Sequence, residues 1–100
     1  MATLHVHLQD GFTDDHVRVD VDGGTACDRT HVRTRPQLGL AEALELDVPA
    51  GAVTVRVQVA GRGVDRSIVV DAAETPYLGL SLSPAGELTH RVSDTTFGYV

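Results

Sequence analysis

The sequence has 100 residues, a formal net charge of −6 and a hydrophobic fraction of 42%. A chain of this length is the usual size of one domain and can bury a two-layer core without disulfides or a structural metal, so we expect a single domain over residues 1–100. All its basic residues other than histidine are arginines, scattered along an acidic chain, which argues against a nucleic-acid partner.

Apolar side chains recur at every second position in two early runs, Leu4 to Leu8 and Val17 to Val21. This period is typical of strands with one buried and one exposed face. The polar segment between the runs contains one glycine, Gly11, and suits a hairpin loop. The sequence therefore predicts two paired strands, the second ending at Gly23 and Gly24.

The next segment, residues 25–37, has the weakest pattern and is predicted to be a long loop with a short strand at residues 31–34. Beyond it, apolar residues of one parity between Leu38 and Val48 favour a bent or bulged strand. A short helix near residues 37–46 is the alternative, because alanine, glutamate and leucine are strong helix formers and Pro36 suits a first turn.

A turn at residues 49–52 leads to four alternating valines, Val53 to Val59. The pattern predicts the pairs Val48–Val53, Leu46–Val55 and Leu44–Val57 across this turn. After a second turn at residues 60–63, the pattern predicts that Val64, Ile68 and Val70 pair back onto Val59, Val55 and Val53. We therefore expect a three-stranded meander.

The last alternating runs are Leu78 to Leu82 and Leu88 to Val92, joined by a turn at residues 83–87. About seven short strands separated by glycine and proline turns are typical of an all-β sandwich of two antiparallel sheets. A small closed β-barrel is the alternative architecture.

Two stretches resemble the small bacterial PEGA-type and carboxypeptidase-regulatory-like modules. They are Val17–Gly23, where a strand ends in Asp-Gly, and Asp47–Val57, where a Pro-x-Gly turn precedes a Thr-Val-x-Val strand. The resemblance covers roughly residues 16 to 70, although residues 24–36 are longer than expected and Ala60–Gly63 replaces the usual Gly-Tyr pair. It implies a prealbumin-like sandwich that acts as a non-catalytic accessory or interaction module. It carries over no functional residues.

Three histidines form the main candidate site. His5 and His7 project from the same face of a strand, and His-x-His pairs on strands can bind zinc or another divalent metal. In one register of the predicted hairpin, His7 faces His16 and the three histidines form a metal site. In the other register His7 faces Arg18 and His5 faces Asp20, which produces an ordinary solvated polar face.

Two further groups of residues are weaker candidates for a functional site. Cys27 and His31 lie in the same segment, yet a partly buried, inert thiol is the usual outcome for such a cysteine. Five aspartates lack the spacing of a calcium-binding loop and are interpreted as a surface that protects sheet edges: Asp10, Asp14, Asp15, Asp20 and Asp22. No enzyme activity is predicted.

The C-terminal segment Phe97–Val100 holds half of the four aromatic residues. It either docks on the sandwich as a final strand, which we favour, or is exposed as a surface for a partner or for self-association.

The leading functional prediction is a non-catalytic protein-interaction or structural module without a cofactor. Such a module would present the segment Gly24–Gln37, or an edge strand, to another protein or to a second copy. The alternative is a protein that binds zinc or another divalent metal through His5, His7 and His16. The lone Cys27, and the lack of a signal sequence or of the roughly 20 apolar residues of a membrane span, favour the cytoplasm and no membrane partner.

Overall fold

Alternation of apolar and polar side chains produces eight strands in residues 2–97, the part of the chain that the computed structural model describes. The strands are β1 (Ala2–Leu8), β2 (Thr13–Val21), β3 (Gly24–Arg33), β4 (Glu42–Val48), β5 (Ala52–Ala60), β6 (Val64–Asp71), β7 (Tyr77–Leu82) and β8 (Leu88–Ser93). Residues 2–97 contain no helix, and so none long and apolar enough to cross a membrane. The helix considered near residues 37–46 is therefore wrong, because an isolated bridge between Arg35 and Leu40 leads directly into β4.

The strands form two four-stranded sheets, with the orders β4-β1-β7-β8 and β3-β2-β5-β6. This confirms the predicted β-sandwich and excludes the closed barrel, because each sheet ends in two edge strands. All neighbouring strands are antiparallel except β1 and β7, which run parallel. The parallel pair joins the first strand of the chain to the seventh.

Two of the predicted strand pairings are wrong. β1 pairs with β4 and β7 rather than with β2, and β4 pairs with β1 rather than with β5. In both cases the short connection crosses from one sheet to the other instead of turning back within a sheet. Apolar residues face the core in either arrangement, so alternation alone does not distinguish a hairpin from a crossover.

Two predicted pairings are correct. Strands β5 and β6 pair with Val53 opposite Val70, Val55 opposite Ile68, and Val59 opposite Val64. Strands β7 and β8 form the predicted hairpin around the turn at residues 83–87.

The predicted long loop with a short strand at residues 31–34 is mostly the ten-residue strand β3, which begins at Gly24 and ends at Arg33. It follows a two-residue turn in which Asp22 has φ 49° and Gly23 has φ 86°, the left-handed pair that tight hairpins need. Its register with β2 shifts at three places, and only Cys27 and Val32 of the strand are buried. These irregularities hide the period-two pattern.

The core is one contiguous cluster between the sheets. The β4-β1-β7-β8 sheet supplies mainly leucines, including Leu4, Leu8 and Leu80, whereas the other sheet supplies mainly valines. Burial of each such side chain contributes about 1.5–3 kcal/mol. Phe12, only 1% exposed, lies in the connection between β1 and β2 and packs into this cluster.

Candidate functional site

His5 and His7 lie on the outer face of the β4-β1-β7-β8 sheet, because Leu4, Val6 and Leu8 take the inward positions of β1. The His5 ring stacks on Tyr77 of β7, with centroids 4.5 Å apart and planes inclined by 13°. Its Nδ1 lies 3.8 Å from a carboxylate oxygen of Glu45 on β4. The cross-strand register of β1 therefore sets the surroundings of His5.

His7 is covered by Phe97, which lies four residues beyond the end of β8. The centroid of the Phe97 ring lies 5.5 Å from that of His7 and 6.4 Å from that of Tyr77, and both ring pairs meet edge-on. On the Phe97 ring, the central carbon of the Arg91 guanidinium lies 4.4 Å from the centroid. We call His5, His7, Tyr77, Arg91 and Phe97 the aromatic cluster. Burial, together with the charge of His5, lowers the pKa of His7.

Phe97 is 9% exposed, so this residue docks on the sandwich as the sequence indicated, but it does so outside any strand. The other residues of the predicted C-terminal segment, 98–100, lie outside the described part of the chain. Gly79 lies beside His7 in the β1–β7 register and leaves room for the side chain of Gln9.

A polar hollow of about 250 Å³ adjoins the aromatic cluster at the β8 edge of the same face. Its lining consists of Gln9, Asp10, Gly79, Ser81, Thr89, His90 and Arg91. Within residues 2–97, Arg91 forms no ion pair with a carboxylate. Its guanidinium is held on the face by the Phe97 ring instead.

His16 lies on the other sheet, where it is opposite Ala60 of β5 and its Nε2 hydrogen-bonds with Asp28 of β3. Neither register considered for a β1–β2 hairpin exists, so the predicted approach of His16 to His7 is wrong. In the part of the chain that is described, no group of three or more histidine, cysteine, aspartate or glutamate side chains is arranged to hold a metal.

Cys27 and His31 are held apart by their separate surroundings on β3. Cys27 is 8% exposed within the core, and burial raises the pKa of its thiol, which disfavours the reactive thiolate. His31, with φ 57°, directs its Nδ1 to a carboxylate oxygen of Asp14 at 2.7 Å. The arrangement offers no activated nucleophile.

The outer face of the β3-β2-β5-β6 sheet neutralises its own charges. Arg18 forms an ion pair with Asp20, and Arg56 donates two hydrogen bonds to Asp65. The five aspartates that are close in sequence have separate surroundings in the fold. Asp14 contacts His31, Asp15 contacts Arg62, Asp20 contacts Arg18, Asp22 accepts from the Thr54 amide, and Asp10 lines the polar hollow. Arg18 with Asp20 and Arg56 with Asp65 are thus matched pairs on this face.

The sequence identified His5, His7 and the docked Phe97, but it did not identify Tyr77, Arg91 or Gln9 as their neighbours. Tyr77 and Arg91 reach the histidines through the β1–β7 and β7–β8 registers. The one local signal was Gly79, an unusual glycine within an otherwise regular strand, which often marks a close approach by another group.

Comparison with known proteins identifies no family for this chain. No protein-family model matches the sequence, and no curated protein matches it.

Proposed function

We propose that this chain is a non-catalytic protein-interaction module that binds its partner along the side of the sandwich formed by the edge strands β6 and β8. These strands end their respective sheets and lie next to each other, and Arg66 of β6 donates a hydrogen bond to the Leu88 carbonyl of β8. We call this side the β6/β8 edge.

The observation that carries the proposal is the position of the exposed apolar side chains. Among residues 2–97, the large hydrophobic residues with high exposure are Leu38 at 39%, Val69 at 70% and Val92 at 45%. Two of the three lie on the β6/β8 edge, Val69 on β6 and Val92 on β8. Edge strands also present unpaired backbone groups, and extended partners bind to such edges by adding a strand.

The other edge of the sandwich is less suited to pairing. The register shifts between β2 and β3 distort β3, and β4 carries the acidic residues Glu42, Glu45 and Asp47. Bulges and charges at an edge are the devices that prevent strand addition. This contrast supports the β6/β8 edge as the binding side.

The proposal is consistent with the prealbumin-like resemblance, which also implies an accessory sandwich module. We further propose the cytoplasm as its location, because the buried thiol of Cys27 is free and suits a reducing compartment.

The test is affinity capture from a native extract together with light scattering of the purified protein. We expect Val69→Lys and Val92→Lys each to reduce the recovery of a captured partner, or the fraction of self-associated protein, by about tenfold, as expected for a charge placed in an apolar contact. Leu38→Lys is the matched control and should leave the recovery of the partner and the self-associated fraction unchanged. A strictly monomeric protein without a captured partner, or equal capture by all three variants, would contradict the proposal.

A further inference from the structure

The polar hollow beside β8 has the chemistry of a carboxylate-binding subsite. We propose that it binds an aspartate or glutamate side chain of an extended partner segment that lies along β8; this inference rests on the proposed function. The partner is thus a strand-forming acidic peptide segment.

Arg91 carries a charge that no carboxylate within residues 2–97 compensates. Arginine binds carboxylates through a planar fork of N–H donors, with bonds about twice as strong as those between neutral groups. Four of the eight arginines satisfy this preference within the described chain, as Arg62 does with Asp15 and Arg56 with Asp65. Arg91 lines the hollow and lacks such a carboxylate within residues 2–97.

Arg91 is also preorganised for binding. The guanidinium of Arg91 lies 4.4 Å from the centroid of Phe97, and Phe97 is itself fixed by edge contacts with His7 and Tyr77. A side chain that is already held in place loses less conformational entropy on binding than a free one. Arg33 and Arg35 also lack an ion pair in the described chain, but no aromatic contact holds either guanidinium.

The lining of the hollow supplies further hydrogen-bonding groups. Ser81 and Thr89 are opposite each other in the β7–β8 register and contribute hydroxyl groups, while Arg91 contributes the nitrogen donors of its guanidinium. Asp10 is the acidic member of the lining, and its backbone N–H donates to the Ser81 hydroxyl at 3.3 Å. A ligand carboxylate is therefore expected to contact Arg91 directly and to avoid Asp10.

The strand geometry explains why the ligand is an extended segment. Thr89, Arg91 and Ser93 lie at alternate positions of β8 and so share one face. A partner strand added to this edge places its own alternate side chains on the same face, opposite these residues. An acidic residue opposite Arg91 forms a cross-strand ion pair while the backbone supplies the remaining contacts.

The experiment is a titration of the full chain, followed by NMR of its backbone amides, with the peptide acetyl-Glu-Val-Glu-Val-Glu-amide. The matched peptide is acetyl-Gln-Val-Gln-Val-Gln-amide, which keeps the length and strand propensity but carries no charge. We expect saturable shifts of the β8 amides with the glutamate peptide and an affinity for the glutamine peptide that is lower by about tenfold.

Two protein variants locate the effect. Arg91→Gln should weaken binding of the glutamate peptide by about tenfold, and Arg91→Lys should weaken it less, because lysine keeps the charge but loses the planar fork. Arg33→Gln removes an equal charge from β3 and should leave the affinity unchanged. Unchanged melting temperatures establish that the variants are folded.

The outcomes separate this inference from the proposed function. Equal binding of both peptides at β8 would leave the interaction module in place and overturn the carboxylate subsite. Equal weakening by Arg33→Gln and Arg91→Gln would also overturn it, since general electrostatic attraction would then explain the binding. The absence of any shift at β8 with either peptide would overturn it as well, and together with failed partner capture would contradict the module itself.

Discussion

At the scale of single residues, Gly11 has the closest backbone approach of the glycines within residues 2–97. This residue has φ 91°, and a Cβ added to it would lie 2.0 Å from the carbonyl oxygen of Leu82. The contact is with backbone at the end of β7, which is fixed by the hydrogen bond from the Leu82 amide to the Asp10 carbonyl at 2.8 Å. The β1–β2 crossover can therefore pass β7 only if residue 11 has no side chain.

We predict that Gly11→Ala lowers the free energy of unfolding by about 2–5 kcal/mol, the sum of left-handed backbone strain and overpacking. Gly23→Ala is the matched control, because Gly23 has a similar φ of 86° and its added Cβ would meet no atom within 4 Å. Gly23→Ala should lower the free energy of unfolding by only about 1–2 kcal/mol. Urea denaturation of both variants measures the difference, and equal losses would show that the Leu82 contact is unimportant.

At the scale of elements, the turn between β5 and β6 is attached to the beginning of β2. The Arg62 guanidinium donates to both carboxylate oxygens of Asp15, at 2.7 and 3.2 Å, and to the Thr13 hydroxyl at 2.8 Å. Burial raises the pKa of Asp15, but the hydrogen bonds from Arg62 and from the Thr13 amide, with the charge of Arg62, outweigh it and leave that pKa below its ordinary value. The ionised carboxylate is therefore the stabilising form.

We predict that Asp15→Ala lowers the free energy of unfolding at pH 7 by about 1–3 kcal/mol, the usual range for a hydrogen-bonded charged group. Since the folded pKa is depressed, this contribution is complete above the unfolded pKa of about 4 and is lost as the pH falls through the lower folded value. The difference in the free energy of unfolding between the wild type and Asp15→Ala should thus become smaller below about pH 4.

The control for this prediction is Asp65→Ala, which removes an exposed ion pair with Arg56. Exposed pairs contribute little, so its effect at pH 7 should be smaller than that of Asp15→Ala. Denaturant unfolding measured from pH 3 to pH 7 tests both statements. An Asp15→Ala difference that stays constant over this range would contradict the proposed role of the ionised carboxylate.

The elements also show what the sequence could and could not predict. The β5–β6 register was predictable because a short glycine turn leaves one pairing that keeps Val53, Val55 and Val59 on a common face. The predicted pairing of β4 with β5 is wrong, because a crossover at residues 49–51 leaves the same apolar side chains facing the core. Strand β3 was missed although Asp22-Gly23 is a strong hairpin signal, because the residues after it lack alternation.

The candidate site was predictable only in its local part. The shared face of His5 and His7 follows from their spacing, since alternate residues of a strand point the same way. Their contacts with Tyr77 and Phe97 depend on the parallel pairing of β1 with β7, between segments far apart in sequence. No local pattern encodes that pairing, so the cluster emerges only from the topology.

At the scale of the whole molecule, the aromatic cluster ties the end of the described chain to its first strand. Phe97, after β8, packs on His7 of β1, which also lies near Tyr77 of β7. The titratable neighbours of His7 in this cluster are His5 on the same strand and Tyr77 on β7, while Arg91 of β8 lies on the Phe97 ring. Protonation of His7 would thus place a buried positive charge beside another histidine, which opposes docking of Phe97.

We therefore predict that acidification weakens the protein through His7. Its pKa is lowered in the fold, first by burial and then by the charge of His5, so protons bind more strongly to the unfolded chain. The stabilisation is complete above the unfolded pKa of about 6.5 and declines as the pH falls through the lower folded value. His7→Gln, which stays neutral, should show a smaller loss of unfolding free energy between pH 7.5 and pH 5, about the range in which histidine titrates.

The mechanism is tested by an NMR titration of the His7 ring in the wild type and in Phe97→Ala. Removal of the Phe97 ring exposes His7 to water, so the pKa of His7 should rise towards its ordinary value while the fold persists on its separate core. The loss of stability on acidification should then also become smaller. If His7 titrates identically in both proteins, Phe97 does not shield it, and the link between the first strand and the chain end is independent of pH.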